Sequence, residues 1–220
     1  MTDTNVLCLE GLFAEEVTTL GGRVTDTVTH GRRLYARGIL PRGADVAVDD
    51  RVEPGVALRY TGDEIEVRPW VLREVCRNGA VLAFSGVGCK MQHIVPGQVQ
   101  ERLPEVREAI RASASRETFA DFVGSMRGAR HEIPDFESLV MSLQLFRHFG
   151  AEALLDLMER FQAGGIRNVF AFANAITAVA RDTEDPELRW RRESIGAAVF
   201  ARLPKPTRAN RRAEALLEPR

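Results

Sequence analysis

The chain has 220 residues, 45% of them hydrophobic, and a formal net charge of -1. This length can bury a substantial core without help from disulfides or metals, and the near-neutral charge excludes a global electrostatic attraction to nucleic acid or anionic membranes. Any basic surface must therefore be local. Only Lys90 and Lys205 are lysines, so arginine, the better bidentate partner of phosphate, supplies nearly all of the positive charge.

The cysteine content and the hydropathy indicate the cellular compartment of the protein. Cys8, Cys76 and Cys89 do not form the even framework of a small secreted protein, and the first residues lack the basic flank and apolar run of a signal peptide. No stretch approaches the length of a membrane span. We therefore expect a soluble protein of the reducing cytoplasm with no membrane partner.

The N-terminal part predicts a short helix followed by an antiparallel sheet. In EGLFAEEVTTLGG, Leu12, Val17 and Leu20 share one side of a helix that the Gly-Gly pair would stop. The segments RVTDTVTH, RRLYARGIL, GVALRYT and EIEVRPW follow, rich in β-branched and aromatic residues and divided by turn residues.

The C-terminal part is helical by period. ERLPEVREAIRASASRETFADFVGSM, PDFESLVMSLQLFRHFG and AEALLDLMERFQAGG repeat apolar residues every three or four positions, and NVFAFANAITAVARD and PELRWRRESIGAAVFARL complete about five helices. The predicted fold class is α+β, a small antiparallel N-terminal sheet packed with a C-terminal helical bundle. We expect one domain over residues 1–203, with the sheet part to about 95 and the helical part from about 96. Residues 204–220 are predicted to be a flexible or weakly ordered basic tail.

The segment VLREVCRNGAVLAFSGVGCKMQH raises the question of a metal or nucleophile site. A structural zinc site needs four ligands, usually in two close pairs, and neither Cys76 nor Cys89 has a second cysteine nearby, so we predict no metal and no cofactor. Cys76 is interpreted as a small buried hydrophobe, although an enzyme using Cys76 as its nucleophile stays an alternative. Asn78 and Gly79 predict a turn in which glycine takes positive φ, and His93 is expected to end the next strand with a hydrogen bond.

Nucleotide-binding and hydrolase motifs are absent from the sequence, so no small-molecule substrate is identified. GGIRNVF places two glycines before a helix, where free N–H groups could hold a phosphate. A plain turn between two helices is the simpler interpretation.

Basic residues with nearby aromatic rings form two clusters that suit nucleic-acid binding. HGRRLYARG offers four of these residues on a hairpin, and LRWRRE offers four on a helix. Alternation places Arg33, Tyr35 and Arg37 on one face of the hairpin, which indicates a solvated or ligand-facing side. The candidate nucleic-acid-binding residues are Arg32, Arg33, Tyr35, Arg37, Arg189, Trp190, Arg191 and Arg192.

Several stretches in order resemble a known family. VRPWVLREVCRNGAVLAF followed by KMQHI, and later the helix NVFAFANAITAVARD, are similar to the phage/plasmid-like proteins with domain of unknown function 932. The resemblance spans roughly residues 20 to 201 and implies a mobile-element origin without an assigned activity. The N-terminal segment common in longer members is not evident. The residues that match the family motifs are Arg73, Cys76, Asn78, Gly79, His93, Asn174 and Thr177.

Two hypotheses of different classes follow. The first is a non-enzymatic protein associated with single-stranded nucleic acid in recombination or replication, with self-association multiplying weak contacts. The second is a structural or protein-interaction component, such as a virion or assembly protein, which the neutral charge fits equally well.

Overall fold

The computed structural model describes residues 3–73, 78–81, 88–95, 97–133 and 136–202. The strands are β1 (Arg23–His30), β2 (Arg33–Ile39), β3 (Ala44–Ala47), β4 (Asp50–Tyr60), β5 (Ile65–Arg73), β6 (Asn78–Val81) and β7 (Cys89–Met91). The helices are α1 (Thr4–Thr19), α2 (Val99–Ser113), α3 (Arg116–Gly128), α4 (Phe136–Ser142), α5 (Ala151–Ala163), α6 (Val169–Arg181) and α7 (Pro186–Arg202), with a 3-10 turn at Leu145–Arg147.

The strands form one antiparallel sheet with the order β1-β2-β4-β5-β6. The long hairpin of β4 and β5 is its centre. Both β2 and β3 pair with β4, at Gly55–Tyr60 and Asp50–Val52. In the same way, β7 and β6 pair with opposite ends of β5, whereas β1 pairs with β2 alone among the described strands.

One face of the sheet is apolar and packs against α1 and α2. Alternate residues of β2, β4 and β5 point to this face, as the two-residue period of a strand requires. The helices contribute Phe13 and Val17 from α1 and Val106 and Ile110 from α2, all buried. The strand residues buried beneath these helices are Leu34, Ala36, Val56, Leu58, Tyr60, Ile65 and Val67.

The opposite face carries large polar side chains and is covered by the first half of α7. Trp190 of α7 is 4% exposed and packs with Tyr35 and Trp70 of the sheet. Because both tryptophans of the chain lie in this contact, their fluorescence reports on the docking of α7.

A second core joins the end of the sheet to the helical region. Phe122 of α3 and Phe172 of α6 are fully buried there, next to Val52 and Val71 of the sheet. The α6–α7 crossing is close, because a Cβ on Gly196 would lie 2.6 Å from Cγ2 of Thr177.

The predicted α+β class is confirmed, with an antiparallel N-terminal sheet and a C-terminal helical region. Two helix predictions were too long. The first divides at Ser115, whose Oγ accepts a hydrogen bond from the N–H of Thr118 and so caps α3. The second is interrupted after α4, where Gln144 has a φ of 52° and leads into the 3-10 turn.

The prediction of a positive-φ turn at Asn78 and Gly79 is wrong. Both residues lie in β6, where Gly79 pairs with Leu72 and its φ is not positive. Glycine is needed there because a Cβ would lie 2.5 Å from the ring of Trp70. His93 follows β7 with a φ of 59° and an exposed side chain.

Two sequence predictions lie outside the described residues, namely those on Cys76 and on the basic tail at 204–220. Within the described ranges, the structure contains no helix with the length and apolarity to cross a membrane.

Candidate functional site

The structure brings the hairpin cluster and the α7 cluster of arginines together, but as a buried contact. Arg37 is 1% exposed and donates to Glu193 through Nε at 3.3 Å and Nη2 at 3.0 Å, while its Nη1 donates to Asp26 at 2.8 Å. Arg189 donates to the same two carboxylates. These four charges therefore fasten α7 to the sheet.

A second group of charges lies one strand further along the same face. Arg59 donates to both oxygens of Glu187, through Nε at 2.7 Å and Nη2 at 2.8 Å. Its Nη1 donates to Glu64 and to Glu66. Tyr35 also donates to Glu187, at 2.8 Å. Hydrogen bonds between a guanidinium and a carboxylate, in which both groups are charged, are among the strongest in proteins.

These contacts shift the pKa values of three residues in this second group of charges. Burial and the hydrogen bond to Glu187 raise the pKa of the Tyr35 hydroxyl above its usual value. Desolvation opposes the charge of Arg59, but its hydrogen bonds to Glu187 and Glu64 outweigh it and keep its pKa above the ordinary value. Desolvation of Glu64 is likewise outweighed by the hydrogen bonds it accepts, which lower its pKa to about 2. Each of these groups keeps one protonation state at neutral pH, as suits a structural contact.

The remaining predicted residues divide between buried and exposed positions. Arg192 is 8% exposed, donates to the carbonyl of His148 and the hydroxyl of Thr183, and lies over the ring of Phe149. Arg191 is exposed and donates to Glu187. The other two exposed members are Arg32, which pairs with Asp3, and Arg33. The predicted nucleic-acid surface therefore offers three exposed arginines, whereas Tyr35, Arg37, Trp190 and Arg192 are buried.

A different basic site lies at the open end of the β4–β5 hairpin, where the first residue of β4 and the last residue of β5 meet α5 and α6. It is an open cleft of about 530 Å³, which we call the arginine cleft, and its size falls in the range of ligand pockets. It is lined mainly by Asp50, Arg73, Arg130, Arg160, Phe161, Gly164, Ile166, Asn168, Phe170, Asn174 and Arg181.

Hydrogen bonds between two loops place the residues of the arginine cleft. Ile133 donates to the carbonyl of Arg167 at 2.8 Å, and Glu132 forms an isolated bridge with Asn168. The loop after α3 is thereby held against the loop before α6. Arg130, which directly follows the end of α3, consequently lies over the first turn of α6.

Phe170 forms the apolar floor under two of the arginines. The guanidinium of Arg130 lies 3.9 Å from the ring centroid and that of Arg73 lies 5.2 Å from it, distances at which cation–π attraction operates. Arg73 is held by Asp50 through Nε at 2.5 Å and Nη2 at 2.9 Å. Arg130 is exposed, donates to the carbonyl of Val46, and has no carboxylate partner among the described residues.

On the opposite wall of the arginine cleft, the arginines are paired with carboxylates. Arg160 donates to Asp156 at 2.7 Å and to Asp182 at 3.0 Å, and Arg181 donates to Asp182 at 2.8 Å. The hydrogen bond to Asp156 raises the pKa of Arg160, and the hydrogen bond from Arg181 lowers the pKa of Asp182. Among the described residues, an incoming anion would therefore meet Arg130 as an arginine of the cleft for which no carboxylate competes.

The N-terminus of α6 does not supply free donors to this cleft. The N–H groups of Val169 and Phe170 donate to the carbonyls of His131 and Ala129, and that of Ala171 donates to Oδ1 of Asn168 at 2.8 Å. The plain turn is therefore the better interpretation of GGIRNVF, and recognition in the cleft falls to side chains.

Four of the seven residues that match the family motifs lie in this part of the molecule. Arg73 and Asn174 line the arginine cleft, and beneath it they enclose a small gap together with Gly79 and Thr177. His93 does not join them; its neighbour Ile94 donates a hydrogen bond to the carbonyl of Asp63 in the turn between β4 and β5.

Sequence reasoning missed Arg130, Arg160 and Arg181, because each is a single arginine among unrelated residues. Arg160 and Arg181 do share a position in the last turns of α5 and α6, where cations favour the helix dipole. That shared position was the signal available in the sequence.

Over the ranges the structure describes, no group of three or more histidine, cysteine or acidic side chains is placed to hold a metal ion. No protein-family model, no curated protein and no solved structure matches this chain. The resemblance to the phage/plasmid-like family stays a prediction.

Proposed function

We propose that this protein is a non-enzymatic binder of single-stranded nucleic acid and that the arginine cleft is its contact with the phosphate backbone. The observation that carries the proposal is Arg130, an exposed arginine without a carboxylate partner among the described residues. Its guanidinium carbon lies 3.9 Å from the ring centroid of Phe170, inside a cleft that three further arginines line. Backbone phosphates are recognised by such groups, largely independently of sequence.

The other lining groups favour a nucleic acid over an isolated phosphate. Bases stack on arginine guanidinium groups and on aromatic rings, and stacking of this kind tolerates any sequence. The cleft offers both kinds of group, in Arg130 and Phe170. The amides of Asn168 and Asn174 lie in the same cleft, although Oδ1 of Asn168 is already occupied by the α6 cap. We therefore expect weak, salt-sensitive binding with little sequence preference.

The test is a comparison of two single-arginine variants. Arg130→Gln removes a positive charge from the cleft, whereas Arg116→Gln removes another exposed arginine from the opposite end of α3 that also lacks an ion pair among the described residues. Binding of a labelled single-stranded oligonucleotide is followed by fluorescence anisotropy at several salt concentrations. Arg130→Gln should weaken binding about tenfold and reduce the slope of log K against log salt by about one.

Two results would reject the proposal. One is the absence of salt-sensitive binding by the wild-type protein at low ionic strength. The other is an equal loss for Arg130→Gln and Arg116→Gln, which would show that any positive charge serves and that the cleft is not the site.

A second candidate function, that of a protein-interaction component, is favoured by an apolar groove of about 590 Å³ between α4 and α5. Met141, which lines the groove, is 64% exposed, and Leu155 of α5 is 56% exposed. Exposed apolar surface commonly marks an interface. The groove is lined by Ile133, Phe136, Val140, Met141, Met158 and Phe161, with Glu137, Gln162 and Arg167 at polar positions.

Light scattering discriminates this candidate from the first. An interaction component should form a large assembly without affinity for the oligonucleotide, and Met141→Lys should dissolve it. A protein that binds the oligonucleotide and keeps the same mass after Met141→Lys would exclude the second candidate.

A further inference from the structure

The edge of the sheet at β1 is open among the described residues. β1 pairs with β2 on one side, and no described strand pairs with its other side. Seven of its eight residues are exposed, and Asp26 is half-buried. The strand has neither proline nor lysine, two residues with which proteins commonly block such edges.

The hairpin turn fixes which backbone groups face outward. Gly31 and Arg32 form a two-residue loop between the paired residues His30 and Arg33, and Gly31 has a φ of 59°. The closing pair of such a loop exchanges both of its hydrogen bonds, and alternate residues repeat this along the ladder. His30, Val28 and Asp26 therefore direct their N–H and C=O groups toward β2.

It follows that Thr27 and Thr29 direct their N–H and C=O groups away from the sheet. The ladder is regular here, because the only shift in register lies between Val24 and Asp26. These outward groups form a short template for another antiparallel strand.

The sequence of this regular segment is complementary to its own reverse, and we call it the self-matching segment. Asp26-Thr27-Val28-Thr29-His30 has valine at the centre and a threonine on each side, and an antiparallel copy would place the aspartate of one chain opposite the histidine of the other. We propose that two copies of the chain pair through β1, antiparallel, about a two-fold axis at Val28. An isologous contact of this kind is the commonest form of self-association.

Each group in the segment has a partner in this arrangement. Thr27 exchanges two hydrogen bonds with Thr29 of the second copy, and the symmetric pair adds two more. The two Val28 side chains meet at the axis. Asp26, which accepts hydrogen bonds from Arg37 and Arg189 of its own copy, faces His30 of the second copy. Cross-strand pairs of side chains are the units that stabilise antiparallel strands.

The dimer is expected to be weak and concentration-dependent, because five paired residues bury less surface than a standard stable interface. Its role is to join two sheets into one. The inference does not depend on the arginine cleft, because no residue of β1 lines that cleft.

The experiment compares Val28→Lys with Val24→Lys by sedimentation velocity over a range of concentrations. Both valines are 36% exposed and lie on the same strand, but Val24 is outside the self-matching segment. Val28→Lys should weaken dimerisation at least tenfold because two like charges then meet at the axis, whereas Val24→Lys should leave it unchanged. Equal urea midpoints for the two variants show that both remain folded.

Hydrogen exchange gives an independent measurement on the unmodified protein. The amides of Thr27 and Thr29 should exchange fast in dilute solution and become protected as concentration rises, while that of Val28 is protected throughout. The proposal is overturned if the wild-type protein is a monomer at every concentration, if both lysine variants behave alike, or if a dimer forms without protecting these two amides.

Discussion

Replacing Arg37 by methionine is expected to lower the free energy of unfolding by about 3 kcal/mol. The substitution keeps the bulk of the side chain but removes two donors from Glu193, whose side chain is 1% exposed, and one from Asp26. Breaking a buried ion pair generally costs about 3 to 5 kcal/mol, because one charge stays buried without compensation. The lower end applies because Arg189 still donates to the other oxygen of Glu193 at 3.0 Å.

The assay is urea unfolding followed by tryptophan fluorescence, since Trp70 and Trp190 both lie in the contact between the sheet and α7. The double variant Arg37→Met with Glu193→Met removes both buried charges, so it should cost about 2 kcal/mol less than Arg37→Met alone. Arg189→Met removes a more exposed partner, at 25% exposure, and should cost about 1 kcal/mol. A change below about 0.5 kcal/mol for Arg37→Met would refute a buried network.

The same variant decides between the two groups of arginines. Once folded, Arg37→Met should bind single-stranded nucleic acid as the wild-type protein does, because Arg37 offers no exposed surface. Loss of binding by the folded variant would instead support the hairpin cluster as the nucleic-acid surface.

Further substitutions test a close backbone contact, the loss of stability at acid pH, and a helix cap. Gly55→Ala should cost about 3 kcal/mol in thermal unfolding, since its Cβ would lie 2.2 Å from the carbonyl oxygen of Gly38. Glu64 has a pKa of about 2 in the fold against an ordinary value of 4.5, so its contribution is present above about pH 4.5 and is lost as pH falls toward 2. Glu64→Gln should therefore reduce the loss of stability over that pH window. Ser115→Ala removes the cap of α3 and should cost about 1 kcal/mol in urea unfolding.

Local patterns were sufficient to predict an antiparallel N-terminal sheet and the residues of β2 that share a face. The alternation in RRLYARG placed Tyr35 and Arg37 on one face, and the structure places them so. The same pattern suggested that this face meets solvent or ligand, because polar residues usually do. Their partners Glu187 and Glu193 lie more than 150 positions away on α7, and no local pattern shows that contact.

The candidate site was predictable only in part. Arg73 and Asn174 were selected for their place in family-like motifs, and both line the arginine cleft. Arg130 has no motif around it. Its position depends on the pairing of two loops through Ile133 and Asn168, which is a tertiary property.

The distance along the chain between the sheet and α7 has a consequence for synthesis. Tyr35 and Glu187 are 152 positions apart, and Arg37 and Glu193 are 156 apart. On the ribosome, the sheet strands emerge long before α7, so their guanidinium groups and the indole of Trp70 first meet water instead of the helix. More than 100 residues are therefore added between the end of β5 at Arg73 and the start of α7 at Pro186, while one face of the sheet lacks the helix that covers it. Chaperones recognise such exposed surface, and long-range contacts of this kind form slowly.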